Sequence, residues 1–180
     1  MSNYGTFTDP GTIRFERLLP GPIERVWAYL TESDKKAKWL AAGEVEPRVG
    51  GKVELRFRHD TLTPHDEQPP DKYKQMKDGT GFTGRVTRYD PPRLLSYTWG
   101  EGTGDESEVT FKLTPEGEKV RLILTHRRLG DDPDILASVA SGWHTHLGIL
   151  SDRLSNRVPK GFWLVHTEME KEYIKRIPES

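Results

Sequence analysis

The stretch DDPDILASVASGWHTHLGILSDRLSN, residues 131–156, decides the fold. Asp131, Asp132 and Pro133 read as a helix start, with acids at the positive end of the dipole. With Trp143 taken as zero and about 100° per residue, Leu136, Val139, Leu147, Leu150 and Leu154 fall within roughly 40° of it. The spacing predicts a long helix to about Asn156 with one narrow apolar stripe. A stripe of that length needs a broad surface to cover.

The residues upstream supply one. Gly81 to Tyr89, Arg93 to Trp99, Glu106 to Leu113 and Lys119 to Arg127 read as four strands. They are separated by Asp90-Pro91-Pro92, by the Gly-rich Glu101 to Asp105 and by Pro115-Glu116-Gly117. Short turns between consecutive strands predict an antiparallel meander. Further upstream, Val53, Leu55 and Phe57 alternate with charged residues. Gly50-Gly51 before them predicts a hairpin with Glu44 to Arg48 as its partner. Residues 60–78 are polar and Pro-containing, a long surface loop whose role as a lid the sequence leaves open.

The N-terminal third completes the pattern. Residues 1–10 are polar and expected to be loose. Thr12 to Leu18 alternates, with Ile13 and Phe15 on one side and Arg14 and Glu16 on the other, a strand with one wet face. Pro22 suits a first helical position, and Ile23, Val26, Trp27 and Leu30 follow at helical spacing to about Thr31. Ser33 reads as the N-cap of a second short helix through Trp39 and Leu40. At the other end, Val158-Pro159-Lys160-Gly161 stops the long helix. A tail helix follows, carrying Phe162, His166, Met169, Tyr173 and Ile177 on one face. The sequence thus predicts an α+β domain over residues 11–157. A curved antiparallel sheet wraps a long C-terminal helix, two short helices follow strand 1, and an extra tail helix occupies 158–180.

Composition bounds the function. The chain has 180 residues, with 27 Lys and Arg against 28 Asp and Glu. That balance argues against a globally basic nucleic-acid binder. Lys35, Lys36 and Lys38, and Arg56, Arg58, Arg85 and Arg88, are interspersed with acids and read as ordinary surface. With 33% hydrophobic residues and 17 aromatics, five of them Trp, one real core is within reach. Cys is absent, which excludes disulfides, cysteine-zinc sites and thiol catalysis. No apolar run is long enough to span a membrane, and Met1 to Pro10 has no signal-peptide pattern. The expectation is a soluble cytoplasmic protein without nucleic-acid or membrane partners.

Four stretches resemble a known family. Pro22-Ile23-Glu24-Arg25-Val26-Trp27 and Lys38-Trp39-Leu40 are similar to its first and second helices. Gly84 through Asp90-Pro91-Pro92-Arg93-Leu94 to Tyr97-Thr98-Trp99 resembles its central hairpin. Leu124-Thr125-His126, Gly142-Trp143-His144 and His146-Leu147 resemble its last strand and grip helix. The Gly161-Phe162-Trp163 tail with His166 and Tyr173 is similar to one branch. The family is the bacterial homologues of the activator of the heat-shock-protein-90 ATPase, within the START-like (SRPBCC) helix-grip superfamily. The resemblance implies a cavity between sheet and grip helix, and relatives in this superfamily bind lipids, polyketides or hormones.

Candidate lining residues for such a cavity are Trp27, Trp39, Phe57, Phe82, Tyr97, Trp99, Trp143, His146 and Leu150, with His126 as a polar contact. Such a lining suits a flat apolar ligand with one or two polar groups. The competing reading is ordinary core. His144 and His146, two apart on a helix, point about 200° apart and do not share a metal ion. A zinc site needs His146 to meet His126 or a carboxylate across the cleft. No nucleophile with a base and an orienting acid is evident, and no phosphate-binding Gly-rich loop. No catalytic residue, metal or cofactor is assigned. Three readings follow: a small-molecule binder, a cyclase or hydrolase using a cavity His, and a co-chaperone-like interaction module. Phe162, Met169 and Tyr173 are candidates for a contact between two copies, or for packing within the chain.

Overall fold

A computed structural model describes residues 3–76, 79–99 and 106–178. Seven antiparallel strands form one sheet in the order β1-β2-β7-β6-β5-β4-β3. They are β1 (Thr6–Asp9), β2 (Thr12–Pro20), β3 (Lys52–Phe57), β4 (Thr80–Asp90), β5 (Leu94–Trp99), β6 (Ser107–Glu116) and β7 (Lys119–Arg127). Helices α1 (Ile23–Thr31) and α2 (Ser33–Lys36) follow β2, and α3 (Pro133–Leu154) and α4 (Phe162–Arg176) close the chain. The helix-grip architecture read from the sequence is present. The Gly-rich turn at Glu101 to Asp105 lies outside the described residues.

Alternation explains the sheet. Ile13 and Phe15 of β2, Leu95 and Tyr97 of β5, Val109, Phe111 and Leu113 of β6, and Val120, Leu122 and Leu124 of β7 point inward and are buried. Against them lies α3, started by the Asp132 side chain, which accepts a hydrogen bond from the Asp134 amide at 2.9 Å. Ala140, Trp143, Leu147, Leu150 and Leu154 are buried with the sheet residues in one core. At Gly84 a Cβ would stand 2.1 Å from the Thr98 carbonyl oxygen, so only glycine lets β4 coil this close to β5. A bulge between Val86 and Arg88 adds to the bend.

Several expectations are corrected. Residues 1–10 are not uniformly loose: Thr6–Asp9 pairs with β2, and the Gly5 amide donates to the Tyr173 hydroxyl at 2.8 Å. Ser33 does not cap a helix through Leu40. Its hydroxyl accepts from the Gly43 amide, α2 ends at Lys36, and Trp39 and Leu40 lie in the following turn. Glu44 to Arg48 contributes one isolated bridge, Val45 to Val53, rather than a full strand. Of the expected loop 60–78, the described residues 60–76 are not a bare loop, since 3-10 turns stand at His59–Thr61 and Asp71–Met76.

That segment is a strap tied to both C-terminal helices. Arg153 of α3 donates to the Leu62 carbonyl at 2.6 Å. The Glu67 carboxylate accepts from the Trp163 and Leu164 amides, both at 3.0 Å, and so caps α4 from 96 residues away. Gly161 leaves room for it, because a Cβ there would stand 2.3 Å from Glu67 Oε2. The Tyr73 hydroxyl donates to Glu170, and Lys72 pairs with Glu170 at 3.3 Å. The tail is not separate from the domain: Phe162, Trp163 and Tyr173 belong to the same core. Phe162 and Tyr173 are 2% and 0% exposed within one chain, which removes them as contacts between copies; only Met169 of that trio stays partly accessible. No described helix is long and apolar enough to cross a membrane.

The distant cap makes a direct prediction. Glu67→Ala should cost about 1–2 kcal/mol, as losing a charged helix cap does. Hydrogen exchange should quicken at the Trp163 and Leu164 amides while the later turns of α4 keep their protection. Unchanged exchange at those two amides would contradict the strap.

Candidate functional site

Between the far end of the sheet, α3 and α4 lies a cavity of about 260 Å³. The α3 wall is Ser138 together with Val139, Gly142, Trp143 and His146, the last four forming one stripe at i, i+3, i+4 and i+7. The sheet adds Phe57 from β3, Thr80 and Phe82 from β4, and Trp99 from β5. Helix α4 adds Phe162, Trp163 and His166, and the strap adds His59, Tyr73 and Met76. The rings brace one another. Trp99 lies 4.8 Å from Phe82 and 5.0 Å from Trp143, centre to centre. His59 stacks on Phe57 and stands 4.5 Å from Phe162. These edge-to-face and tilted arrangements hold an apolar lining in fixed shape.

The polar groups are few, and their proton positions follow from their partners. His146 Nδ1 is 2.7 Å from the Trp39 carbonyl oxygen. A carbonyl only accepts, so Nδ1 carries the proton and Nε2 of the neutral ring keeps a lone pair. Burial, with the nearby His59 ring, pushes His146 down to about 3. His59 and His166 are pushed down to about 4, again by burial first, and the Nδ1 of each is buried without a hydrogen-bond partner among the described residues. At neutral pH the cavity is therefore lined by three uncharged imidazoles. No group of three or more His, Asp or Glu among the described residues has the arrangement that holds a metal ion.

Residues 20–155 match the sequence profile of the activator of Hsp90 ATPase homolog 1-like proteins. The chain belongs to that family. It is similar to a protein of Bordetella parapertussis solved by NMR in solution, with 44% identity, a TM-score of 0.81, and coverage of 99% of this chain and 92% of that one. The crystal structure of CalU16 from Micromonospora echinospora shares the fold at 20% identity and a TM-score of 0.68, covering 93% and 89% of the two chains. The solution structure of the Aha1 dimer from Colwellia psychrerythraea does so at 19% and 0.59, covering 79% and 95%. No curated protein compared with it matches.

In this member of the Hsp90-activator-like family, the candidate residues divide. Phe57, Phe82, Trp99, Trp143 and His146 come together around the cavity. Trp27, Trp39, Tyr97 and Leu150 do not line it. Trp27 packs edge-on to Tyr89, 5.7 Å away. Trp39, Tyr97 and Leu150 are fully buried core, and the Trp39 indole donates to the Tyr29 carbonyl at 2.7 Å. His126 lies behind Trp143 rather than in the cavity. Its Nδ1 accepts from the Trp143 indole at 2.8 Å, so its Nε2 carries the proton toward Ser107 Oγ at 2.7 Å. Sequence reasoning missed His59, Tyr73, Met76, Thr80, Ser138, Val139, Gly142, Phe162, Trp163 and His166 as lining. His59, Tyr73 and Met76 carry no periodic signal, whereas the face shared by Phe162 and His166 is visible in the sequence but does not by itself choose between a second copy and packing within the chain.

The buried histidines set the acid response. His59, His144 and His166 stand near 4 and His126 and His146 near 3, all below the ordinary value of about 6.5. Above about 6.5 both folded and unfolded chains hold these rings neutral. From there down to about 4 the unfolded chain binds protons that the folded one refuses, so acid favours unfolding. Each fully buried ring removes at most about 1.4 kcal/mol per pH unit. Urea midpoints should be flat above pH ~7 and fall steeply between ~6.5 and ~4, since those values bracket the shifts. A flat profile down to pH ~5 would contradict the burial of these rings.

Proposed function

We propose that the chain binds a small, flat, largely apolar molecule that carries one hydrogen-bond donor, such as a phenol. The observation that carries the reading is His146. Its proton is committed to the Trp39 carbonyl, so the ring offers the aromatic cavity an acceptor whose state does not change near neutral pH. Leaving a buried donor unpaired costs about 1–3 kcal/mol, so an acceptor inside an apolar lining selects ligands that can use it. A cavity of about 260 Å³ suits a molecule of one to three rings.

Acid–base chemistry is the weaker reading. An imidazole near 3 or 4 is a poor base at pH 7, where an efficient catalytic base has a value close to the working pH. A protein-interaction role is weaker as well, because the aromatic side chains turn into a cleft rather than onto a flat exposed patch. A second copy as partner, like that of the Aha1 dimer from C. psychrerythraea, would use residues other than Phe162 and Tyr173.

Gly142 provides the test. It lines the cavity from α3, and a Cβ built on it meets nothing within 4 Å. Gly142→Leu should fill the cavity and gain helix propensity, by up to about 1 kcal/mol. Calorimetric titration with 2-naphthol should show saturable binding to the wild type. The variant should bind at least ~10-fold more weakly, a loss of about 1.4 kcal/mol, with an unchanged or raised melting temperature. Equal affinity in a stably folded variant would place the ligand elsewhere and sink the proposal.

A further inference from the structure

On β2 the inside–outside alternation holds, but at two positions the residue types are exchanged. Ile13, Phe15 and Leu19 face inward, and so does Arg17, which is only 8% exposed, while Leu18 faces solvent at 43%. A guanidinium placed under the grip helix loses much of its hydration and needs a counter-charge. Among the described residues no carboxylate pairs with it. One Nη donates to the Glu16 carbonyl oxygen at 2.9 Å, and the group stands 5.5 Å from the Phe15 ring centre. Burial holds its pKa below the usual arginine value.

The nearby carboxylates are already engaged. Glu16 bridges Arg14 at 3.0 Å and Arg121 at 2.9 Å, and Asp152 pairs with Arg157 at 3.2 Å. Arg17, Arg121 and Arg157 nevertheless line one surface pocket of about 380 Å³, together with Glu16, Asp152 and the His144 ring. Among the lining residues three guanidinium groups thus face two carboxylates; Arg121 also pairs with Glu116 at 2.6 Å, and Arg17 is the one without a carboxylate partner among the described residues. The His144 ring is committed elsewhere, with Nδ1 2.8 Å from the Tyr173 hydroxyl.

We infer that this pocket is a second binding site, separate from the aromatic cavity, for a small molecule presenting an oxyanion to Arg17. Two oxygens on one carbon or phosphorus match the guanidinium fork, and a buried charged pair of that geometry is worth more than an exposed one. Carboxylate and phosphate share this chemistry, and the pocket has room for a metabolite-sized body behind either.

The test follows the Arg17 Nε–Hε resonance of ¹⁵N-labelled protein. Sodium phosphate and sodium acetate are titrated separately, with chloride holding ionic strength constant. Saturable movement of the Arg17 signal, with a dissociation constant of about 10 mM or tighter, supports the site. Saturation by phosphate alone assigns a phosphoryl group, and saturation by acetate, alone or as well as phosphate, a carboxylate-tolerant pocket. Arg17→Lys keeps the charge but not the fork, so a folded variant should bind at least ~10-fold more weakly. An Arg17 signal that neither anion moves, or a lysine variant with wild-type affinity, overturns the proposal. The wild-type titration decides the matter even where the variant fails to fold.

Discussion

Inside the core, the indole N–H of Trp143 meets Nδ1 of His126 at 2.8 Å, and the imidazole passes its own proton toward Ser107. His126 is fully buried and Trp143 is 3% exposed, with one side of its ring lining the cavity, and burial pushes His126 down to about 3. An indole buried without a partner would forfeit the hydrogen bond it makes in water, so the pair is strongly favoured once the groups are inside. The bond joins α3 to β7 at one rotational setting of the helix. That setting turns Val139, Gly142 and His146 toward the cavity and Leu147 and Leu150 into the core. A second stitch, His146 to the Trp39 carbonyl, fixes the same helix against the turn after α2. The cavity is what remains when α3 is held by these polar contacts near one end of a strongly coiled sheet.

How much of this was legible depended on range. The stripe on residues 131–156 and the alternation of the later strands are local patterns, and they placed the sheet, the grip helix and five of the lining residues, Phe57, Phe82, Trp99, Trp143 and His146. Parity along a strand cannot say which inward ring ends beside the cavity and which beneath solid packing. Tyr97 and Trp99 share a face two residues apart, yet Tyr97 is core and Trp99 lines the cleft. Trp39 looked like lining because it is aromatic, whereas its indole is spent on the Tyr29 carbonyl. The strap was illegible for a different reason. Its conformation rests on Glu67, Tyr73 and His65, whose partners Trp163, Glu170 and Pro159 lie more than ninety residues away. Nothing periodic announces a helix cap supplied from another part of the chain.

The two sites differ in the physics they offer. The cavity between α3, α4 and the strap is apolar, aromatic and uncharged at neutral pH, with selectivity left to a few imidazole nitrogens. The pocket beside β2 is charged, and its buried guanidinium has no carboxylate partner among the described residues. They lie on different faces of α3: Gly142, Trp143 and His146 look into one, His144 and Gly148 into the other. Tyr173 links the second face to the tail helix through His144 and Gly5. The family assignment fixes the scaffold, while these side chains set the chemistry each pocket offers.

The contact proposed for the cavity is a hydrogen bond from an aromatic ligand to His146 Nε2. It is tested most directly by recording histidine ¹⁵N spectra during parallel titrations with 2-naphthol and 2-methoxynaphthalene, which differ in the donor. At pH ~7 a ring near 3 is neutral, so His146 should show the Nδ1-protonated form throughout. The naphthol should move its Nε2 resonance and bind several-fold more tightly than the ether. Equal affinities with no movement of His146 Nε2, or a free protein in which Nε2 rather than Nδ1 holds the proton, would contradict the account.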